Sequence, residues 1–178
     1  MSEWYQKKTF GSLADTVAER FGDREALVFR DERYTFSEVR EKIDAVARGL
    51  IELGVKPGDH VALWLMNRPE WIYTMFALAR IGAVQVPVNT RFRTNDLAYL
   101  LKQSDSAWLI THDVSGPVDF LAMVREVVKL PTDGSVIDDP QYPRLNSVII
   151  LGEDQHPGCV DFAHMVAAGQ GVSDGVLR

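Results

Sequence analysis

Four short apolar runs along the chain have the pattern of buried β-strands. In each run, the odd-numbered and the even-numbered positions are both mostly apolar. Since these positions face opposite sides of a strand, both faces of the predicted strand are apolar. A strand of this kind is covered on both faces, which is the habit of parallel sheets. The four runs are residues 60–66, 83–88, 107–111 and 148–151.

Helical patterns alternate with these strands. Thr35 and Glu38 have the spacing of a capping box, apolar residues then recur at steps of three and four, and Gly54 stands where a left-handed C′ residue belongs. This predicts a helix from Phe36 to Leu53. Further helices are predicted after a Ser12 cap (with Leu13, Val17 and Phe21 on one face), from Pro69 to Gly82, from a Thr94 cap onward, and over 118–128.

The order of these elements predicts an α/β fold, layered, with a mostly parallel sheet and flanking helices. Residues 26–35 have the pattern of a small hairpin. The proline-containing stretch 130–146 predicts a long loop, and Gly169, Gly171 and Gly175 predict a flexible tail.

Composition narrows the classes of function. The chain of 178 residues has a formal net charge of −6 and 46% hydrophobic residues, so it is globular and repels nucleic-acid phosphates. Cys159 is the single cysteine, which fits a reducing compartment. No apolar run approaches the roughly 20 residues of a membrane span, and the N-terminus lacks a secretory h-region. We expect a cytoplasmic protein with no nucleic-acid partner.

The sequence gives only weak evidence for most kinds of catalytic or metal-binding site. No glycine-rich phosphate loop, nucleophile elbow or metal-ligand spacing of histidines is found. His112 and Asp113 are neighbours, but a dyad needs geometry rather than adjacency, and strand-end or surface placement is the favoured interpretation for the histidines. Cys159 lies three residues after His156, which is weak evidence for a nucleophile. Packing is the favoured interpretation for Trp4, Trp64, Trp71 and Trp108.

One pair of residues suggests a binding site. Arg91 and Arg93 follow a predicted strand and precede Thr94, the predicted helix cap. Two guanidinium groups beside a helix N-terminus can hold a phosphate or carboxylate. The alternative is that both arginines are solvated surface residues.

The stretch from Tyr34 to Ala107 resembles the N-terminal part of the acyl-CoA synthetase, or adenylate-forming, superfamily, in the style of its fatty acyl branch. Residues 10–33 and 107–151 fit this resemblance more loosely. The matching segments are Tyr34–Glu38, Leu53–Ala62, Asn67–Trp71, Gly82–Asn89, and Arg91 with Asp96–Leu101.

The resemblance implies a two-step ligase. A carboxylate, here a fatty acid, attacks the α-phosphate of ATP to give an acyl-adenylate and pyrophosphate, and the thiol of coenzyme A then displaces AMP. Mg²⁺ assists by screening the phosphates. In some family members an arginine at the position of Arg91 lies near the coenzyme A phosphates, so the resemblance implies the same role for Arg91, with Arg93 beside it.

The family's phosphate loop, adenine-contacting stretch, ribose-binding acid, hinge and catalytic lysine all come later than the matched stretch, and none occurs in residues 1–178. We therefore expect this chain to be the N-terminal subdomain of the large adenylating domain, without catalytic or metal-binding residues and inactive alone. Its expected partner is the remainder of its own polypeptide. Uncovered apolar surface would favour a homodimer or aggregation.

Two alternatives are of a different class. The chain could be a standalone α/β binding or regulatory module derived from the same fold without its chemistry. A flavodoxin-like protein is disfavoured because no phosphate-binding loop follows the first strand.

Overall fold

The computed structural model describes residues 9–132 and 135–177, which form two compact units. The described part of the first, called the helical unit, comprises residues 9–57, 68–83 and 166–177. The second, called the sheet unit, comprises residues 58–67 and 84–165, with residues 133 and 134 outside the description. The assignment of residues 1–178 to one subdomain stays a prediction.

The regular elements follow the alternation expected from the sequence. The helices are α1 (Leu13–Phe21), α2 (Phe36–Leu53), α3 (Pro69–Ile81), α4 (Thr94–Gln103), α5 (Phe120–Val127) and α6 (Phe162–Ala168). The strands are β1 (Glu25–Phe29), β2 (Glu32–Thr35), β3 (His60–Trp64), β4 (Val84–Pro87), β5 (Trp108–His112), β6 (Val114–Ser115), β7 (Val118–Asp119), β8 (Ser147–Leu151) and β9 (Val160–Asp161). Turns of 3₁₀ helix occupy Phe10–Ser12, Gly169–Gly171 and Asp174–Leu177.

The sheet unit is built on a five-stranded sheet with the order β4-β3-β5-β8-β9, and every neighbouring pair is parallel. Residues of both parities are buried in its central strands, as the continuous apolar runs predict: Val61, Ala62, Leu63 and Trp64 in β3, and Leu109 and Ile110 in β5. The fold class expected from the sequence is therefore confirmed. The winding direction reverses between β3 and β5, because the chain forms β3 first, then β4 on one side and β5 on the other.

The core of the sheet unit is centred on Trp64 and Phe120, whose rings meet edge to face with centroids 4.7 Å apart. Apolar residues of α4, α5 and the loop before β8 surround this pair. The predicted loop 130–146 is largely a loop, but it closes the core rather than lying free. Its buried apolar members are Ile137, Tyr142 and Leu145.

The tryptophans pack as predicted wherever they are described. Trp64 and Trp108 are buried, and the indole Nε1 of Trp108 donates to Oδ2 of Asp59 at 3.1 Å. Trp71 is half-buried. Trp4 lies outside the described residues.

Pro87 fits in β4 because β4 is an edge strand. The N–H groups of Val84 and Val88 donate to Asp59 and Leu63 along β3, at 2.8 and 3.0 Å. Strand periodicity then points the nitrogen of Pro87 away from β3, where no ladder bond is required. An interior strand could not have placed a proline there.

The cap of α2 was predicted correctly. The N–H of Glu38 donates to Oγ1 of Thr35 at 3.2 Å, and the Glu38 carboxylate accepts from the Thr35 N–H at 2.7 Å. This second bond lowers the pKa of Glu38. Gly54 ends the helix with φ of 100°, as its position suggested.

The start of α1 differs from the prediction. Ser12 precedes α1 but makes no side-chain cap bond there. Thr9 caps the preceding 3₁₀ turn instead, and the hydroxyl of Ser12 accepts from the Thr9 N–H at 3.2 Å. The tight turn moves the cap three residues earlier than apolar periodicity alone indicates.

Two short strand pairs were not predicted. Residues 118–128 begin as β7, which pairs with β6, and α5 starts only at Phe120, where Asp119 accepts from the Ala122 N–H at 2.7 Å. β9 adds to the sheet beside β8. Pairs of two residues are too short to show an alternation of apolar and polar positions, so the sequence pattern cannot reveal them.

The glycine tail is not uniformly flexible, contrary to the prediction. Gly169 is buried, and a Cβ built on it would overlap the backbone of Arg48 and Gly49 in α2. A Cβ built on Gly171 would meet nothing within 4 Å. Gly169 is therefore required by close contact between the tail and α2, whereas Gly171 is not.

A buried ionic cluster joins the three helices of the helical unit. Nη1 of Arg80 on α3 donates to Asp15 of α1 at 2.9 Å. Nε of Arg80 lies 3.2 Å from Oδ1 of Asp44 on α2, as an ion pair without hydrogen-bond geometry. The side chains of Arg80 and Asp44 are 9% and 14% exposed, and burial raises the pKa of Asp44. Arg80 is thus the main cation that makes a buried carboxylate tolerable, with smaller contributions from Arg40 and Arg48.

Replacing Arg80 by leucine should destabilise the protein by about 3 kcal/mol, because buried Asp44 would lose its main compensating cation and keep only the smaller contributions of Arg40 and Arg48. Asp44→Asn should cost about 1 kcal/mol, since Arg80 keeps Asp15. Urea unfolding at pH 7 measures both. The double variant should recover part of the loss of Arg80→Leu; strict additivity would contradict the pairing.

The same cluster predicts a pH dependence. A raised pKa means that folded Asp44 holds its proton more tightly than the unfolded chain does, so its contribution to stability falls as the pH rises through its titration. Without Arg80 this fall should be steeper as the pH rises above the usual aspartate pKa of about 4. Unfolding free energies of the natural protein and Arg80→Leu above this pH test it, and parallel curves would refute it.

Gly169→Ala should destabilise the protein by about 1–3 kcal/mol, because the added methyl group forces the tail away from α2. Gly171→Ala is the matched control in the same turn and should change stability by no more than about 0.5 kcal/mol. Thermal and urea unfolding compare the two. Equal effects would show that close contact at Gly169 is not what the tail requires.

Candidate functional site

Arg91 and Arg93 lie where the sequence placed them, in the turn between β4 and α4, and both are exposed. The turn is organised by Asn89, whose side-chain Oδ1 accepts from the Arg91 N–H at 2.9 Å and whose carbonyl accepts from the Phe92 N–H at 2.9 Å. The structure therefore brings both arginines to the N-terminus of α4.

The two arginines have different surroundings. Nη1 of Arg93 points at the carbonyls of its own turn, 3.0 Å from Arg91 and 2.8 Å from Phe92. Its N–H donates to Oδ2 of Asp96 at 3.0 Å. Arg93 thus shapes the turn, whereas Arg91 is the better placed of the two to receive an anion.

Thr94 is not the helix cap that the sequence suggested. It is the first residue of α4, and its hydroxyl donates to Oε2 of Glu126 on α5 at 3.0 Å. The cap position belongs to Arg93. The carboxylate of Asp96 in the first turn partly neutralises the positive end of the helix dipole, which weakens the site for anions. The anion site at Arg91 and Arg93 stays a prediction.

A second polar group of residues lies at the carboxyl ends of β3 and β5, where the winding of the sheet reverses. The hydroxyl of Thr111 donates to the Trp64 carbonyl at 3.1 Å. Nε2 of His112 accepts from the Met66 N–H at 3.1 Å. His112 is only 4% exposed and Thr111 is fully buried. Clefts at such reversal points are where open α/β sheets bind ligands.

Asp113, the residue after β5, connects the carboxyl end of β5 with that of β8. Its Oδ1 accepts from the Val114 N–H at 2.5 Å, and its Oδ2 lies 3.4 Å from Nε2 of His156, in the loop after β8. A side chain at Gly152 would overlap the Asp113 carboxylate, so a glycine is needed where β8 ends. The Asp113–His156 pair joins the carboxyl ends of β5 and β8.

A cavity of about 530 Å³ lies beyond β8 and β9, with Ile150, Cys159 and Val160 among its apolar lining and His156 and Asp161 among its polar lining. Burial raises the pKa of the Cys159 thiol to about 11. A neutral thiol is a poor nucleophile, so the weak sequence evidence for a Cys159–His156 nucleophile gains no support.

Three of the four histidines lie at strand ends or on the surface, as favoured from the sequence, whereas His156 is half-buried in the loop after β8. His60 begins β3 and His112 ends β5, whereas the side chain of His164 is 71% exposed. What the sequence did not indicate is that His112 is buried and bonded to Met66. A polar residue closing an otherwise apolar strand was the available signal.

Residues 9–132 and 135–177 provide neither a metal-binding cluster nor a membrane-spanning helix. Over that part of the chain, no three side chains of the His, Cys, Asp or Glu type cluster closely enough to hold a metal ion. Over the same residues, no helix is both long and apolar enough to cross a membrane.

Comparison with known proteins places this architecture in a family. Residues 14–164 match the model of the AMP-binding enzymes. The protein YngI of Bacillus subtilis (strain 168), whose name assigns it provisionally to the acyl-CoA synthetases, is 34% identical over 174 residues. That alignment covers 96% of this chain and 32% of YngI.

Two more relatives agree. The crotonobetaine/carnitine–CoA ligase of Proteus mirabilis (strain HI4320) is 33% identical over 141 residues, which cover 70% of this chain and 27% of the ligase. The anthranilate CoA ligase AuaEII, solved with anthranoyl-AMP, shares the fold with a TM-score of 0.75 at 22% identity, over 90% of this chain and 28% of its own.

The chain spans about a third or less of the length of these relatives. The match covers most of both units and includes the strands, the β4–α4 turn and the winding reversal. From its sequence and its fold, this chain belongs to the AMP-binding enzyme family, of which it represents the N-terminal part.

Proposed function

We propose that this chain forms the N-terminal part of an AMP-forming acid–thiol ligase. The whole protein would activate a carboxylic acid, with a fatty acid as the favoured class, and pass it to coenzyme A. The observation that carries this proposal is the family match over residues 14–164, together with CoA ligases among the relatives. The activity belongs to a longer polypeptide, and the remainder of that polypeptide is the proposed partner.

The described residues do not fit ATP and Mg²⁺ by themselves. The sequence contains no serine-, threonine- and glycine-rich phosphate loop. Within residues 9–132 and 135–177, no group of three acidic or metal-binding side chains is available for the ion. We therefore assign no chemical step to this chain and propose that it acts as a scaffold, a layered sheet against which the nucleotide-binding part packs.

Arg91 is the residue of this chain that we propose to contact coenzyme A. It is exposed, it lies in the turn three residues before the first residue of α4, and its guanidinium can pair with a phosphate beside the helix N-terminus. Arg93 supports this role indirectly, because its side chain binds the carbonyls of the turn that carries Arg91.

The isolated chain should not form an acyl-adenylate. Pyrophosphate release measured with medium-chain fatty acid, ATP and Mg²⁺ should equal the background without protein, because the chain lacks the loop that grips the phosphates. A complete acyl-CoA ligase assayed in parallel is the positive control. Turnover by the isolated chain that depends on the fatty acid would overturn the proposal.

In the polypeptide that includes the downstream sequence, Arg91→Gln should raise the KM for coenzyme A about tenfold, since a charged hydrogen bond to phosphate is lost. The KM values for ATP and the acid should stay unchanged. Steady-state kinetics with each substrate varied in turn provide the measurement.

Arg93→Gln is the matched comparison for Arg91→Gln. It should affect the KM for coenzyme A less and the stability of the turn more, because its guanidinium binds backbone carbonyls. An unchanged KM for coenzyme A in Arg91→Gln would remove Arg91 from the site while leaving the ligase assignment intact.

A further inference from the structure

The indole of Trp64 connects the core of the sheet unit to the turn that carries Arg91. Trp64 is fully buried at the end of β3, and its Nε1 donates to the carbonyl of Asn89 at 3.1 Å. A buried indole N–H needs an acceptor, whereas a phenylalanine would fill a core without requiring one. Tryptophan at this position therefore adds a directed bond from the core to the turn.

The Asn89 carbonyl is the point at which this bond meets the turn. The same oxygen accepts from the Phe92 N–H at 2.9 Å, so two donors share its two lone pairs. The side-chain Oδ1 of Asn89 accepts from the Arg91 N–H, also at 2.9 Å. One residue thus receives bonds from the core and from two residues of the turn.

The direction of the indole is fixed by its packing in the core. The ring of Phe120 on α5, which is also fully buried, meets the Trp64 ring edge to face, with the two planes 81° apart. The Trp64 carbonyl accepts from the Thr111 hydroxyl of β5 at 3.1 Å. Because both the backbone and the ring of Trp64 are held, the position of Nε1 is fixed and determines where the Asn89 carbonyl lies.

Other bonds hold the turn on both sides of Asn89. The Val88 N–H donates to the Leu63 carbonyl of β3 at 3.0 Å. The Arg93 guanidinium binds the carbonyl of Arg91 at 3.0 Å. The backbone of Arg91 is therefore held in place, whereas its side chain is exposed.

We infer that Trp64 is a positioning residue for the proposed coenzyme A contact: its indole N–H, through the Asn89 carbonyl, fixes the turn that presents the Arg91 guanidinium to a phosphate. A turn that is already ordered loses less conformational entropy on binding an anion than a loose one does. Trp64 lies in the core and acts only through the turn. The choice of coenzyme A as the ligand rests on the proposed ligase function, whereas the anchoring of the turn does not.

Amide hydrogen exchange in this chain tests the anchor. Trp64→Phe keeps an aromatic ring in the core but removes the N–H. The protection factor of the Phe92 amide should therefore fall about tenfold relative to that of Ile110, which lies inside the same sheet. An unchanged Phe92 to Ile110 ratio in the folded variant would overturn the inference.

Trp108→Phe is the matched control for Trp64→Phe. Trp108 is also a buried strand tryptophan, and its Nε1 likewise donates at 3.1 Å, to Asp59. This bond lies at the amino end of β5, away from the turn, so its loss should leave the Phe92 to Ile110 ratio unchanged. An equal fall of the ratio in both variants would assign the effect to general destabilisation and refute the anchor.

Kinetics of the polypeptide that includes the downstream sequence test the consequence for binding. Trp64→Phe should raise the KM for coenzyme A about three- to tenfold, because a loosened turn presents Arg91 less well. The KM for ATP should not change. A purely structural role would lower the amount of active protein without a selective change in one KM. In an Arg91→Gln background, Trp64→Phe should add no further increase.

The outcomes separate this inference from the proposed function. An unchanged KM for coenzyme A in Trp64→Phe, in a polypeptide that is active as a ligase, would overturn the positioning role alone. Absence of ligase activity in that polypeptide would overturn the proposed function and the ligand of this inference together.

If Trp64→Phe does not fold, exchange in the natural protein decides. The indole proton of Trp64 and the amide proton of Phe92 should both be protected, because they share the Asn89 carbonyl. Exchange of either proton at the rate of an unstructured peptide would overturn the inference.

Discussion

Burial of β3 and β5 on both faces is the constraint on which the sheet unit depends. A strand with no solvated face must satisfy its polar backbone groups through its neighbours. Inside the sheet the parallel ladder does this. At the carboxyl ends the ladder stops, and buried side chains of Thr111 and His112 complete the pairing. The same burial that excludes polar residues from the strands therefore concentrates them at one edge, where ligands of α/β sheets bind.

The helical unit is specified by a different kind of contact. Its three main helices meet around one arginine, Arg80, which is held between the carboxylates of Asp15 and Asp44. Its tail approaches α2 so closely that only glycine fits at residue 169. Apolar packing tolerates exchanges of similar volume, whereas a buried charge or a backbone contact does not. These two places fix how the helices and the tail meet.

The strand order does not by itself identify the function. The first strand of this sheet along the chain is β3, followed by β4, β5, β8 and β9. Numbered in that way, the strands lie across the sheet in the order 2-1-3-4-5, which is also the order of flavodoxin-like folds. The flavodoxin-like alternative was disfavoured because a phosphate loop is missing, and topology alone would not have excluded it. The family match decides, because it rests on residues 14–164 rather than on topology. Function in such folds resides in the site rather than in the architecture.

The sequence by itself determined the strand and helix alternation, the parallel sheet, the capped helix α2 and the family, because each depends on local periodicity or on a motif contained in one segment. It also placed Arg91 and Arg93 beside a helix N-terminus. Only the tertiary structure decided that Arg93 binds its own turn, that His112 holds Met66, and that Gly169 meets Gly49. The contacts of His112 with Met66 and of Gly169 with Gly49 join residues far apart in the chain, and the contacts of Arg93 depend on how a single turn folds. Hydrophobic periodicity indicates which residues are buried but not which partners they contact.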